Sequence, residues 1–161
     1  MNELSEHPMV SVEVLRQCRV FEQLSLAALT ELSSIGTEVT VKAGDWLFHE
    51  ADPADALYLI IAGQVSLNLA TRDKRGTSFE FGTRTTGEIL GWSAVVGPHF
   101  YSLGARAVTD TKVVKFGGEQ LLAFIQNNPE PGNLVMQGIT QVASLRMQLI
   151  RARLGQLTPH K

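Results

Sequence analysis

From residue 37 to residue 117 the apolar residues keep a period of two, in short runs broken by glycine and turn-forming residues. Val39 and Val41, then Trp46 and Phe48, alternate with polar neighbours on either side of a turn at Ala43-Gly44-Asp45. Asp52-Pro53-Ala54-Asp55 is a second turn signal, because proline presets φ and aspartate bonds its own backbone. Residues 57–61 are continuously apolar, the pattern of a strand covered on both faces, and Gly63 leads into Val65, Leu67 and Leu69. Arg72-Asp73-Lys74-Arg75-Gly76 is read as a solvated hairpin tip. Phe79 and Phe81 alternate again, and strands are expected near 101–108 and 111–116. Strands this short, at intervals of about ten residues with glycine at the corners, argue for an antiparallel sandwich or jelly roll.

The flanks have a helical period. Val12, Val14 and Leu15 lead to Phe21, and Ser25 is placed to N-cap a helix carrying Leu26, Leu29 and Leu32. After Gly118, Leu121, Leu122 and Ile125 share a face that Asn127-Asn128-Pro129 interrupts. A longer helix then runs from about 131 to 154, with a stripe of Val135, Ile139, Val142, Leu145 and Leu149. The expected architecture is mainly β with flanking helices, a single domain over 1–161. It has N-terminal helices at 10–36, a double-stranded β-helix (jelly-roll) barrel at 37–117, and C-terminal helices at 118–155.

With 161 residues, 44% of them hydrophobic and 19% charged, the chain is long enough for one domain with a real core. A net charge of −2 offers no general attraction to a phosphate backbone. The lone cysteine, Cys18, excludes an intrachain disulfide and is read as a small core residue. No apolar run reaches the roughly 18 residues of a membrane span, and the N-terminus lacks the pattern of a signal peptide, so a cytoplasmic protein is expected.

Residues 87–102, GEILGWSAVVGPHFYS, stand apart. Three glycines and a proline imply close backbone approach, yet the stretch has one acid, Glu88, and neither Lys nor Arg. There is no catalytic constellation beside it: Gly91-Trp92-Ser93-Ala94-Val95 lacks the second glycine of a nucleophile elbow. His49, His99, His7 and His160 do not have the spacing of a metal set, so neither a metal nor a cupin-type enzyme is expected. Haem ligation through His99 has little in its favour.

The order and spacing of these pieces resemble the cyclic-nucleotide-binding domain, the sensory domain of catabolite activator and fumarate–nitrate regulators. The likeness covers roughly residues 15–150. It rests on Val20-Phe21 with Leu24-Ser25, Ala43-Gly44-Asp45-Trp46-Leu47-Phe48, Ala56-Leu57-Tyr58-Leu59-Ile60, Gly63-Gln64-Val65, Gly87-Glu88-Ile89-Leu90-Gly91, Ala105-Arg106-Ala107 and Asp110-Thr111-Lys112-Val113.

The resemblance makes 87–102 the phosphate-binding cassette, a short strand turning into a one-turn helix. Its amides and an inserted Arg hold the cyclic phosphate in the family, and a Glu accepts from the ribose. The family's Phe-Gly-Glu corresponds here to Leu90-Gly91-Trp92, and its Arg to Tyr101, before Ser102. Arg106 corresponds to a separate arginine further along the next strand, and Glu88 to an acidic position of structural type.

The candidate effector residues are therefore Gly87, Glu88, Ile89, Leu90, Gly91, Trp92, Ser93, Ala94, Tyr101 and Ser102, with the amides near Ser93 and Ala94 left to face an anion. A cyclic nucleotide is the ligand class that the resemblance implies, but the cassette lacks its Glu and Arg, and no cofactor is expected. Trp92 is read either as stacking on a ligand or as filling its volume. Tyr101 is read either as a hydroxyl donor to an anion or as the cap of a strand end.

These readings add up to a stand-alone, non-enzymatic regulatory or sensory module with a degenerate cassette, signalling to an unidentified protein partner through its C-terminal helix. The alternative is a ligand-free interaction module. That helix is longer than the barrel needs, so a homodimer through its stripe is expected, with Arg146, Arg151 and Arg153 solvated at its end. The family's helix-turn-helix would need several tens more residues, so direct DNA binding is not expected.

Overall fold

The computed structural model describes residues 10–70 and 78–157. The hairpin tip read at residues 72–76 lies outside them. Helix α1 (Val12–Arg16) and helix α2 (Leu26–Ile35) open the chain. Ser25 caps α2 as its sequence position suggests: its Oγ accepts the Ala28 N–H at 3.1 Å. The cap sets the phase that turns Ala28, Leu29 and Leu32 inward.

Eight strands follow: β1 (Gly36–Val41), β2 (Trp46–Phe48), β3 (Ala56–Ala62), β4 (Val65–Ala70), β5 (Ser78–Arg84), β6 (Ile89–Leu90), β7 (Gly104–Ala107) and β8 (Thr111–Gly117). They form two four-stranded sheets in the orders β1-β8-β3-β6 and β2-β7-β4-β5, and the pairings are antiparallel. A 3-10 turn at Trp92–Ala94 lies between β6 and β7, and helices α3 (Gly118–Asn127) and α4 (Pro129–Leu157) complete the chain. The result is the jelly-roll barrel with flanking helices that the period-two runs imply.

Strand β3 explains why residues 57–61 are apolar without interruption. Its side chains serve two cores on opposite faces. Leu57 and Leu59 point outward, where they meet Phe21, Leu29, Leu32, Phe116, Leu121 and Phe124 under the helices. Tyr58 and Ile60 point into the barrel with Phe48, Val65, Leu67, Leu90, Tyr101 and Val113. Cys18 is buried in the outer core, and that burial pushes its thiol pKa up to about 11.

Two element boundaries differ from the expected ones. Strand β7 begins at Gly104, because residues 101–103 turn into the barrel mouth and bury Tyr101 and Leu103. There Tyr101 shares backbone hydrogen bonds with the 51–52 turn: Tyr101 N–H to Asp52 O and Ala51 N–H to Tyr101 O. Helix α4 begins at Pro129, since proline is tolerated in a first helical turn, where its missing N–H costs nothing.

The apolar stripe of α4 is divided. Val135 and Ile139 are fully buried in the chain's own outer core. They are therefore not available for the intersubunit seam expected of them, whereas Leu145 and Leu149 remain 57% and 54% exposed. Within the buried half, Gly138 passes so close to Val20 that a Cβ would lie 3.1 Å from the Val20 Cα.

This division predicts unequal costs along one helix. Ile139→Ala should lower stability by about 2–5 kcal/mol in urea denaturation, while Leu149→Ala should stay within roughly 0.5 kcal/mol. Native Cys18 should resist iodoacetamide at about pH 8 and label on unfolding, because the reactive species is the thiolate.

Candidate functional site

The 87–102 stretch is held by backbone bonds to β3 at its start, by its own turn in the middle and by the 51–54 turn at its end. Gly87, at φ 90°, donates its N–H to Ile60 O at 2.8 Å, and a Cβ there would sit 3.0 Å from Gln17 O. Glu88 closes the preceding turn: its carboxylate accepts the Thr85 N–H at 2.6 Å and lies 3.4 Å from Arg84 Nη1. Ile89 and Leu90 pair with Leu59 and Tyr58 and are buried. Gly91 has left-handed angles, φ 76° and ψ 34°, and a Cβ would meet Ala56 O at 2.8 Å and Tyr101 Cε1 at 3.0 Å. Only glycine combines that backbone with that space.

The 3-10 turn then uses its own amides. The Ala94 N–H donates to Gly91 O at 3.1 Å and the Val95 N–H to Trp92 O at 3.0 Å, while the Ser93 and Ala94 side chains are buried. The Ala94 amide, read from sequence as a free donor to an anion, is occupied within the turn.

Tyr101 lies inside the barrel. Its ring stacks on Phe48 with centroids 3.7 Å apart and planes 17° from parallel. Its hydroxyl donates to Ala56 O at 2.7 Å and accepts the Ala56 N–H at 3.2 Å, with Asp55 Oδ1 at 3.4 Å. Burial, above all, pushes the phenol well above its usual pKa. Ser102 next to it is exposed. Phe48, Gly91, Tyr101 and Ile150 of α4 border what is left at the barrel mouth, a cavity of about 40 Å³. Trp92 lies at its rim and packs toward the outer core, so the volume inside the barrel is taken by Tyr101 and Phe48 rather than by the indole.

A cation does reach the cassette, from the far end of the chain. Arg146 of α4, expected to be solvated, is only 5% exposed. Its Nη2 donates to Ile89 O, and its guanidinium lies 5.0 Å from the centre of the Trp92 ring. Burial and the nearby charge of Arg84 lower its pKa to about 10, against the opposing pull of Glu88. The signal was present in the spacing: Arg146 continues the stripe of Val135, Ile139 and Val142, and Ile150 follows it at the next helical interval. Arg151 and Arg153 are exposed as expected.

The other candidates lie apart. Arg106 reaches out of the barrel to Gly44 O, and His49 stacks on Trp46 at the surface. His99 is exposed at φ 66°. His7 and His160 lie outside the described residues. Among the described residues, no group of three His, Cys, Asp or Glu is arranged to hold a metal, and no helix is long and apolar enough to cross a membrane.

Comparison with known proteins places this geometry. The family model for the cyclic nucleotide-binding domain matches residues 38–128. The chain is 25% identical over 150 residues to the neuropathy target esterase sws of Drosophila ananassae, covering 89% of this chain and 10% of that protein. It thus spans about a tenth of the length of the first curated relatives it matches. Among solved structures, a Geobacter metallireducens protein assigned as a cyclic nucleotide-binding protein is 28% identical, with a TM-score of 0.74 over 86% of this chain and 99% of that one. The regulatory subunit of a cAMP-independent protein kinase A from Trypanosoma brucei shares the fold at 14% identity, with a TM-score of 0.73 over 89% of this chain and 50% of that one. With its two-sheet barrel, its glycine-turned cassette and a family match over more than half its length, the chain belongs to the cyclic nucleotide-binding domain family.

Proposed function

We propose that this domain is a non-enzymatic regulatory module whose barrel does not take cAMP in the usual way, and whose output is carried by α4 through Arg146. The observation behind the proposal is the position of Tyr101. Its hydroxyl takes both backbone groups of Ala56, its ring fills the barrel against Phe48, and a cavity of about 40 Å³ remains. Small-molecule sites usually measure roughly 300–1,000 Å³. Entry of a nucleotide therefore requires Tyr101 to leave the barrel and the Arg146 end of α4 to lift from the cassette. An effector that did so would move α4 by the same act, which ties ligand occupancy to helix position.

The charge balance points the same way. Without the family's cassette Arg, a cyclic phosphate loses a charge-assisted contact worth about 1.5–3 kcal/mol, roughly ten- to a hundredfold in affinity. The Trypanosoma brucei relative is itself named as cAMP-independent, and a triply substituted form that gains an arginine is described bound to cAMP.

Calorimetry with cAMP and cGMP is expected to show high-micromolar or weaker binding, and a sub-micromolar constant would overturn the closed-barrel reading. In the double variant Trp92→Glu with Tyr101→Arg, cAMP should raise the melting temperature, because a ligand bound only by the folded state stabilises it. A double variant that folds but shows no such rise would mean that the cradle is closed by more than these two side chains.

The contact with α4 has its own test. Arg146→Met removes the bond to Ile89 O and the charge over Trp92 but keeps much of the apolar stem. Amide hydrogen exchange is expected to accelerate in residues 143–157 with β3 and β8 unchanged. Equal protection in the variant would show that Ile150 and its neighbours hold the helix without the guanidinium.

A further inference from the structure

Outside the barrel, between α4 and the turn that joins β5 to β6, lies a cleft of about 650 Å³, far larger than the cavity at the barrel mouth. One end is cationic: Arg84 and Arg146 lie there with a single carboxylate, Glu88, and Arg19 also lines the cleft. That carboxylate accepts the Thr85 amide and forms an ion pair with Arg84 Nη1 at 3.4 Å, so two arginines are matched by one acid.

Arg84 Nε is buried and has no hydrogen-bond partner among the described residues. A buried donor left unmade is costly, and more so on a charged group. The other wall is apolar: Val20 and Ile89 on the barrel side, and Val142, Leu145 and Leu149 along α4. Leu145 and Leu149 are more than half exposed.

A cationic head continuous with an apolar wall of exposed leucines fits an anion that carries a hydrocarbon body. A second copy of α4 fits the apolar wall but not the head. From residue 131 to the end of the chain there is no Asp or Glu, and Arg146, Arg151 and Arg153 would bring more positive charge. The cleft volume falls within the range of small-molecule sites.

We propose that this cleft binds an amphiphilic carboxylate, its head on Arg84 and Arg146 and its chain over Val142, Leu145 and Leu149. The site is separate from the barrel interior and stands whether or not the barrel admits a nucleotide. Because Arg146 also bonds Ile89 O, an occupant would bear on the same helix from its outer face.

Decanoate serves as the probe, with acetate as a head-only control and decyltrimethylammonium as the same chain bearing the opposite charge. Calorimetry on the intact chain is expected to show saturable binding of one decanoate per chain and no saturable binding of either control. Arg84→Gln should weaken decanoate by about ten- to a hundredfold. Leu145→Gln, at a solvent-facing position that folding does not depend on, should weaken it about tenfold and provides the test should the arginine variant not fold. Failure of the unmodified chain to bind decanoate would overturn the proposal, including the case in which light scattering shows a dimer that covers the cleft. Equal binding of the cationic amphiphile, or undiminished decanoate binding by folded Arg84→Gln or Leu145→Gln, would overturn it as well.

Discussion

The structure turns on the two hydrogen bonds between the Tyr101 hydroxyl and the backbone of Ala56. Ala56 is the first residue of β3, the strand shared by the outer and inner cores. A single side chain thus fixes the strand start, sets the ring against Phe48 and removes the volume beside Gly91. In an interior of low dielectric, a satisfied hydroxyl is held firmly and an unsatisfied one is costly, so the arrangement resists partial opening. The glycine-turned backbone of residues 87–94 thus surrounds an interior occupied by the protein itself.

The contact between Arg146 and Ile89 O makes the C-terminal helix part of the cassette. Residues 87–102 contain no Lys or Arg of their own, whereas the helix brings a guanidinium to Ile89 O from 57 residues further along the chain. That guanidinium lies between two environments: the Trp92 ring and the barrel mouth on one side, the outer cleft with Arg84 on the other. Burial and like charge both disfavour its ionised form, and Glu88 works against them.

Much of the fold was legible from period alone. The switch from a period of two to helical spacing at both ends marked the barrel, and Ser25 marked the start of α2 to the residue. Where the reading failed, it treated polarity as a sign of exposure. Arg146 was assigned to solvent because it is charged, although its spacing places it on the buried stripe, where a long aliphatic stem can be covered while its head finds a carbonyl and a ring. Counting helix length against the barrel alone sends Val135 and Ile139 to a partner, whereas both fill the outer core with residues of α1, α2 and α3. The interior position of Tyr101 has no local signature. It depends on residues 101–103 turning inward before β7 begins, which follows from pairing with the 51–52 turn and not from composition.

Gly138 gives α4 a fulcrum. A methyl group at Gly138 would lie 3.1 Å from Val20, tighter than an ordinary contact, and Val135 and Ile139 are anchored in the core. Beyond it the helix runs 19 residues to Leu157, an arm of about 28 Å at 1.5 Å per residue. A tilt of about 10° about that point would carry the C-terminal end of the helix through roughly 5 Å but Arg146 through only about 2 Å by the same rise. The shorter displacement already exceeds the tolerance of a hydrogen bond. A shift of atomic size at Ile89, pivoting at Gly138, would thus correspond to a movement at the end of the helix of about the width between neighbouring β-strands.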